Sequence, residues 1–292
     1  MSAGLRVGLF AAVLALVAAG AYAAGAAVDP DPESGAGGHA GADGTATHGG
    51  GPDGHGSGDG DLRLIVERGE LAPGRAGTVV VRVVDERGRT VTDYDTVHER
   101  EMHLLAVRED LTGYRHLHPR RRGDGAWETD VAFAEAGPHR LYADFATAGR
   151  PHTLTAPVRV AGDYRPRPLP PPSRVADAGD GYSVTMSRAG DRRAFAVARD
   201  GRPVAAIEPY LGARGHLVAV RAGDLAFQHV HPRDAATAGR EIAFDVDFHG
   251  AGEYRLFLQF RHGGEVRTAA FTERPGGAPT GDDEHGSAGH GH

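Results

Sequence analysis

The sequence predicts an all-β protein in which two tandem antiparallel immunoglobulin-like β-sandwiches follow an N-terminal hydrophobic helix. Three observations lead to this prediction. A histidine-bearing segment occurs twice, at 102–119 and 215–232, and the two copies align without a gap. Short runs rich in Val, Leu and aromatic residues, with a period of two, are separated by Gly/Asp turns, as expected for half-buried strands. About seven such runs in roughly 100 residues are typical of an immunoglobulin-like sandwich.

The first segment, residues 1–28, is predicted to be a signal peptide or a membrane anchor. Arg6 precedes an apolar stretch at 7–28, and acidic residues follow it. A positive flank, an apolar run and an acidic exit direct the rest of the chain out of the cytoplasm. Small residues around Ala23 favour cleavage, whereas the apolar length meets the roughly 20 residues that span a bilayer. We therefore expect an extracytoplasmic protein, either secreted or anchored in the plasma membrane by a single pass.

Composition divides the remaining chain into segments. Residues 29–61 are mostly Gly, Asp, Ala and His and are predicted to be a disordered spacer. The two sandwich repeats are placed at 62–162 and 175–273. The proline-rich linker between them, 163–174, is expected to form an extended strut that holds the repeats apart. Residues 274–292 are predicted to be a disordered tail, with weak auxiliary metal capture at its histidines. These tail histidines are His285, His290 and His292.

Composition also excludes several kinds of chemistry. Cysteine is absent, so disulfides, thiolate nucleophiles and Cys-ligated metal sites are excluded. The net charge of -7, with both signs interspersed, gives no reason to expect a nucleic-acid partner. The sequence contains no P-loop, Gly-x-Ser-x-Gly, His-Glu-x-x-His or dinucleotide motif. We therefore expect a binding protein that is not an enzyme.

Three histidines recur at a constant offset in both copies of the repeated segment and are the candidate metal ligands. They are His103, His116 and His118 in the first copy, and His216, His229 and His231 in the second. The last two of each trio lie two residues apart in a predicted strand and share one face of it. A hairpin-length connection places the first histidine across from them. Imidazoles without thiolates suit copper(II) or zinc(II), so each repeat is predicted to hold its own three-histidine site.

Other interpretations of these residues stay open. The histidines can be hydrogen-bonded parts of the fold, because a duplication copies structural residues as faithfully as ligands. The chain would then be a structural or protein-interaction module of the cell envelope, or an accessory subunit of a membrane transporter. His98 has no counterpart in the second copy and is expected to be an exposed loop residue. Asp144 aligns with Gln259; both are expected on a solvated strand face, with a role as outer partners of the imidazoles as the alternative.

The repeated motif resembles one found in a group of mostly uncharacterised exported actinobacterial proteins. It is carried by residues 215–232, 252–260 and 266–271, which contain GHLVAVR, FQHVHP, GEYRLFLQF and VRTAAF, and the resemblance extends over residues 62–273. More loosely, the chain is similar to the immunoglobulin-like modules of extracytoplasmic copper handling. The resemblance implies an exported β-sandwich protein. It does not extend to methionine-rich copper(I) segments or to the cysteine of blue-copper sites, which this chain lacks.

Overall fold

The structure is a computed structural model that describes residues 61–228, 230–232 (backbone only at 231 and 232) and 241–275. The predicted leader, nearly all of the spacer and the tail histidines lie outside these residues. The described chain is built from β-strands. It contains no helix that is long and apolar enough to cross a membrane.

The first repeat consists of two four-stranded sheets. Its strands are β1 (Leu62–Arg68), β2 (Ala76–Asp85), β3 (His103–Arg108), β4 (Arg115–Leu117), β5 (Arg120–Arg121), β6 (Trp127–Ala132), β7 (Gly137–Thr147) and β8 (Arg150–Val160). One sheet has the order β1-β2-β6-β5 and the other β4-β3-β7-β8. Neighbouring strands in both sheets pair antiparallel. A buried apolar core that includes Leu64, Leu104 and Trp127 lies between the two sheets.

The second repeat has the same plan with an additional edge. Its strands are β9 (Val175–Gly179), β10 (Tyr182–Ala189), β11 (Arg192–Arg199), β12 (Arg202–Pro203), β13 (His216–Arg221), β14 (Phe227–Gln228), β15 (His231–Pro232), β16 (Glu241–Asp245), β17 (Tyr254–His262) and β18 (Glu265–Glu273). The sheets are β15-β16-β11-β10-β9, with β12 on β11, and β14-β13-β17-β18. The order β14-β13-β17-β18 matches β4-β3-β7-β8 of the first repeat, so the predicted all-β fold with a repeated domain is confirmed.

The prediction of one strand over 227–231 is wrong. Phe227 and Gln228 pair with β13 in one sheet, whereas His231 and Pro232 pair with β16 in the opposite sheet. The chain therefore crosses between sheets inside the predicted strand. Because the alternation of side chains is defined only within a strand, it gives no reason to place His229 and His231 on one face.

Strand β3 is buried on both faces. Leu104 and Ala106 point into the core of their own sandwich, whereas Leu105 and Val107 belong to a separate apolar cluster. This interdomain apolar cluster contains residues of both repeats. Its buried members are Leu105, Val107, Leu111 and Tyr142 from the first repeat, and Val218, Val220, Leu225 and Phe257 from the second.

The two repeats therefore pack against each other through their β3-β7 and β13-β17 sheets. Tyr114 stacks on Phe257 with ring centroids 4.3 Å apart, and the Tyr142 hydroxyl donates to the Leu225 carbonyl at 2.8 Å. The expectation that the linker holds the repeats apart is wrong, because outer sheet faces rich in apolar side chains gain more from mutual burial than from exposure to water.

Candidate metal centre

The predicted histidines of the first repeat lie beside the interdomain apolar cluster. His103 begins β3, His116 lies in β4 and His118 follows β4. Leu105 pairs with His116, so the hairpin places His103 next to the other two imidazoles. Leu117 packs on the sandwich core, and the alternation of the strand turns its two histidine neighbours toward the second repeat.

The three imidazoles of the first repeat converge. His103 Nδ1 and His116 Nε2 are 3.0 Å apart. The ring centroid of His118 lies 5.2 Å from that of His103 and 4.8 Å from that of His116. One nitrogen from each of the three rings can be chosen so that all lie within 4.8 Å of one another. This is the spacing of a three-histidine ligand group.

The His103 and His116 rings face each other, and the far nitrogen of each ring lies next to an oxygen acceptor that orients the ring. The outer nitrogen of His103, Nε2, is 3.2 Å from the Val97 carbonyl, and that of His116, Nδ1, is 2.7 Å from Gln259 Oε1. The Gln259 amide Nε2 donates to Thr268 Oγ1 at 3.3 Å, which orients the amide oxygen toward His116. Carbonyl and amide oxygens can only accept, so these two bonds require the N–H to be on each outer nitrogen. The two inner nitrogens then both present lone pairs.

His98 and His216 complete a group of five that we call the histidine cluster (His98, His103, His116, His118 and His216). The His216 ring centroid is 5.3 Å from His98, 5.9 Å from His116 and 6.3 Å from His103. His98 lies in a turn, as expected, but it is half-buried and lines the cavity described below, so the prediction that it is exposed is wrong. His216 lies with the histidines of the other repeat, which differs from the prediction of separate sites.

Burial favours the neutral form of four of these imidazoles, those of His103, His116, His118 and His216. Burial lowers the pKa of His116 to about 3, against the opposing effect of its bond to Gln259. Burial, followed by the His103 imidazole and Arg100, lowers the pKa of His118 to about 4. Burial, followed by the His98 and His103 imidazoles, lowers the pKa of His216 to about 4. Burial also lowers the pKa of His103, although the hydrogen bond to the Val97 carbonyl and then the Asp144 carboxylate partly offset this shift. A neutral imidazole is the form that binds metal.

A cavity of about 40 Å³ lies among the cluster, lined in part by His98, His103, His116, His216 and Asp144. One water needs roughly 10–15 Å³ by this kind of measure. The cavity therefore has room for an ion or a few waters and is too small for an organic substrate.

Asp144 and Gln259 do not lie on a solvated strand face. Gln259 is buried and bonds His116 of the other repeat. This agrees with the alternative expectation that it is an outer partner of an imidazole. Asp144 is half-buried, pairs with His103 across β3 and β7 and accepts a hydrogen bond from Thr153 Oγ1 at 2.9 Å. The alignment of these two residues singled them out, but sequence reasoning missed Val97 as the acceptor for His103.

The structure does not describe the side chains of the remaining predicted ligands. His229, His285, His290 and His292 lie outside the described residues, and His231 is described only as a backbone segment of β15.

Comparisons with known proteins identify the family of the chain and give no information on the histidine cluster. Among solved structures, a titin fragment titled "Anomalous substructure of Titin-A168169" covers 75% of this chain and 97% of its own, at 10% identity and a TM-score of 0.20. A score this low supports no inference. No curated protein sequence matches the chain. The family described as Domain of unknown function (DUF8832) matches twice, at residues 57–162 and 176–275, so the chain belongs to this family and carries two copies of its domain.

Proposed function

We propose that this protein binds a divalent metal ion, copper(II) or zinc(II), through the imidazoles of His103, His116 and His118. We further propose that it is an exported protein, secreted or anchored by residues 7–28, with sandwiches of the immunoglobulin type, as in the exported actinobacterial proteins that it resembles. Its role is to capture the ion for sequestration or delivery, without catalysis.

The observation that carries this proposal is the pair of facing nitrogens 3.0 Å apart. If both outer nitrogens donate, two lone pairs face each other. If His103 instead donates from Nδ1 to His116, its Nε2 lone pair faces the Val97 carbonyl oxygen at 3.2 Å. With the Gln259 amide oxygen directed at His116, each arrangement of protons on the two neutral rings leaves at least one repulsive contact. A cation between the inner nitrogens removes it, and the outer oxygen partners are those that metal-binding imidazoles usually have.

The ring spacing also supports the proposal. A metal–nitrogen distance of about 2.0–2.1 Å with tetrahedral geometry places imidazole centroids roughly 5 Å apart. The three centroid distances in the trio are 5.2, 5.2 and 4.8 Å. Only small side-chain movements are therefore required to coordinate an ion.

The test compares metal binding by the full chain and by its variants. We expect the wild-type chain to bind Zn(II) or Cu(II) at pH 7.5 in competition with a chelator, and a His116→Leu/His118→Leu variant to lose this tight site. His262→Leu is the control, because it removes an imidazole that bonds Tyr182 and does not belong to the trio. Gln259→Leu should weaken binding about 10–100-fold through loss of ligand orientation. Equal affinity of the wild-type chain and the double variant would refute the proposal.

A second candidate function is favoured by the hydrogen bond between His116 and Gln259, which joins the repeats. On this alternative the histidines stabilise the contact between the repeats in an envelope structural or interaction module. The double variant would then lose stability while any metal affinity stayed the same.

A further inference from the structure

We propose that His216 supplies a fourth imidazole, so that the ion is held between the two repeats and its binding is coupled to their docking. This inference rests on the metal-binding function proposed above and adds a bridging ligand and a conformational consequence to it.

The position of His216 follows from the alternation along β13. Leu217 and Ala219 point into the core of the second sandwich, whereas Val218 and Val220 join the interdomain apolar cluster. His216 shares the face of Val218 and Val220, which is the face that contacts the first repeat. Its imidazole is therefore directed at the trio by the same strand that provides the apolar contact.

The His216 side chain has an unused nitrogen in the described part of the molecule. Nε2 is buried there without a hydrogen-bond partner, as is His118 Nε2. A buried polar atom without a partner is unfavourable. His216 lines the cavity and His118 belongs to the three-histidine group, so an ion held by the trio at the cavity would give each nitrogen a partner. The His216 ring lies 5.9 Å from His116 and 6.3 Å from His103. These distances exceed the roughly 5 Å of a tetrahedral site by about 1 Å, which a change of side-chain torsion can close.

The second repeat also positions a ligand of the first. Gln259 pairs with His216 across β13 and β17 and accepts the N–H of His116. Two neighbouring residues of the second repeat therefore contribute to the site, one as a ligand and the other by orienting a ligand. Separation of the repeats would remove both contributions. By linkage, an ion that binds the docked form more tightly must favour docking to the same extent.

The experiment separates docking from direct contact with the ion. In the full chain, a Val107→Glu/Val220→Glu variant places two like charges in the interdomain apolar cluster. Val107 is four residues from His103 along β3, about 13 Å at the rise of a strand, and neither valine belongs to a sandwich core. Each sandwich should therefore stay folded while the repeats separate, as measured by circular dichroism and X-ray scattering. A Val107→Ile/Val220→Ile variant is the matched control.

We expect affinity for Zn(II) or Cu(II), measured with a competing chelator, to fall about tenfold or more in the Val107→Glu/Val220→Glu variant and in His216→Ala, and to be retained in the isoleucine control. X-ray absorption should count four imidazoles on the ion in the wild-type chain and three in His216→Ala. If the wild-type chain binds the ion but separated repeats or His216→Ala bind it equally well, the bridging inference is overturned and the three-histidine site survives. If the wild-type chain binds no ion, the proposed function itself fails.

Discussion

Acidification should destabilise the metal-free protein strongly, because burial lowers the pKa of His116, His118 and His216. The pKa values of His116, His118 and His216 are lowered to about 3, 4 and 4, whereas an unfolded histidine has a pKa of about 6.5. Below pH 6.5 the unfolded chain therefore takes up protons that the folded chain does not. Stability is fully present above that pH and is lost as the pH falls toward the folded pKa values.

The size of this effect can be worked out at pH 5. Each histidine is then 1.5 pH units below its unfolded pKa, and one unit corresponds to about 1.4 kcal/mol, so each contributes a loss of about 2 kcal/mol. Because His118 and His216 are partly exposed, solvent screening reduces their share, and the three together should cost about 4–6 kcal/mol. The loss should level off near pH 3–4, once His116, His118 and His216 are themselves protonated in the folded protein.

The assay is urea unfolding of chelator-treated protein at pH 7.5, 6 and 5, followed by the fluorescence of Trp127, the single tryptophan, which is buried in the first repeat. A His118→Leu variant removes one titrating imidazole. Between pH 7.5 and 5, the free energy of unfolding of this variant should fall by about 1–2 kcal/mol less than that of the wild type. Burial also lowers the pKa of His103 and His139, so the difference between the two proteins is the informative quantity. Identical losses in both proteins would refute the reasoning.

Three further predictions concern the two sandwiches and their contact. Arg193→Met should destabilise the chain by about 3 kcal/mol, because the Glu273 carboxylate, 1% exposed, loses its closest partner at 2.7 Å and is left with the longer contact to Arg188 at 3.4 Å. A poorly compensated buried charge is costly, and a urea midpoint close to that of the wild type would contradict this. Tyr142→Phe removes the bond to the Leu225 carbonyl and should cost about 1–2 kcal/mol, measured by thermal unfolding; an unchanged midpoint would show that this bond contributes nothing. Phe244→Ala, at a position fully buried in the second core, should cost about 3–5 kcal/mol, and calorimetry showing less than about 1 kcal/mol would argue against the packing described.

Local sequence patterns predicted most of the strands and their duplication. The short apolar run at 104–107 identifies β3, and its repetition at 217–220 identifies β13 and the second domain. Period two assigns residues to faces, but it does not say what covers each face. In β3 both faces are apolar, because one packs on the sandwich core and the other on the second repeat. The docking of the repeats therefore could not be predicted from the alternation alone.

The candidate site was predictable only in part, for a related reason. The spacing of His103, His116 and His118 lies within one hairpin, so local register is enough to bring these imidazoles together. His216 approaches them across the contact between repeats, and no local rule relates it to its neighbours there. At 227–231 the alternation of Phe227 and the following histidines continues through the point where the chain leaves one sheet for the other, so the pattern concealed the crossing.

The linker has a consequence for how firmly the repeats stay together. The Arg167 backbone N–H donates to Asp110 at 2.9 Å, and Leu169 packs against the interdomain apolar cluster. The proline-rich segment is thus attached to the first repeat for part of its length, which leaves a short tether to β9. A short tether of this kind gives an effective concentration on the order of millimolar or more. Even a modest contact would therefore be occupied nearly all the time, and a single cut in the linker would make docking depend on protein concentration.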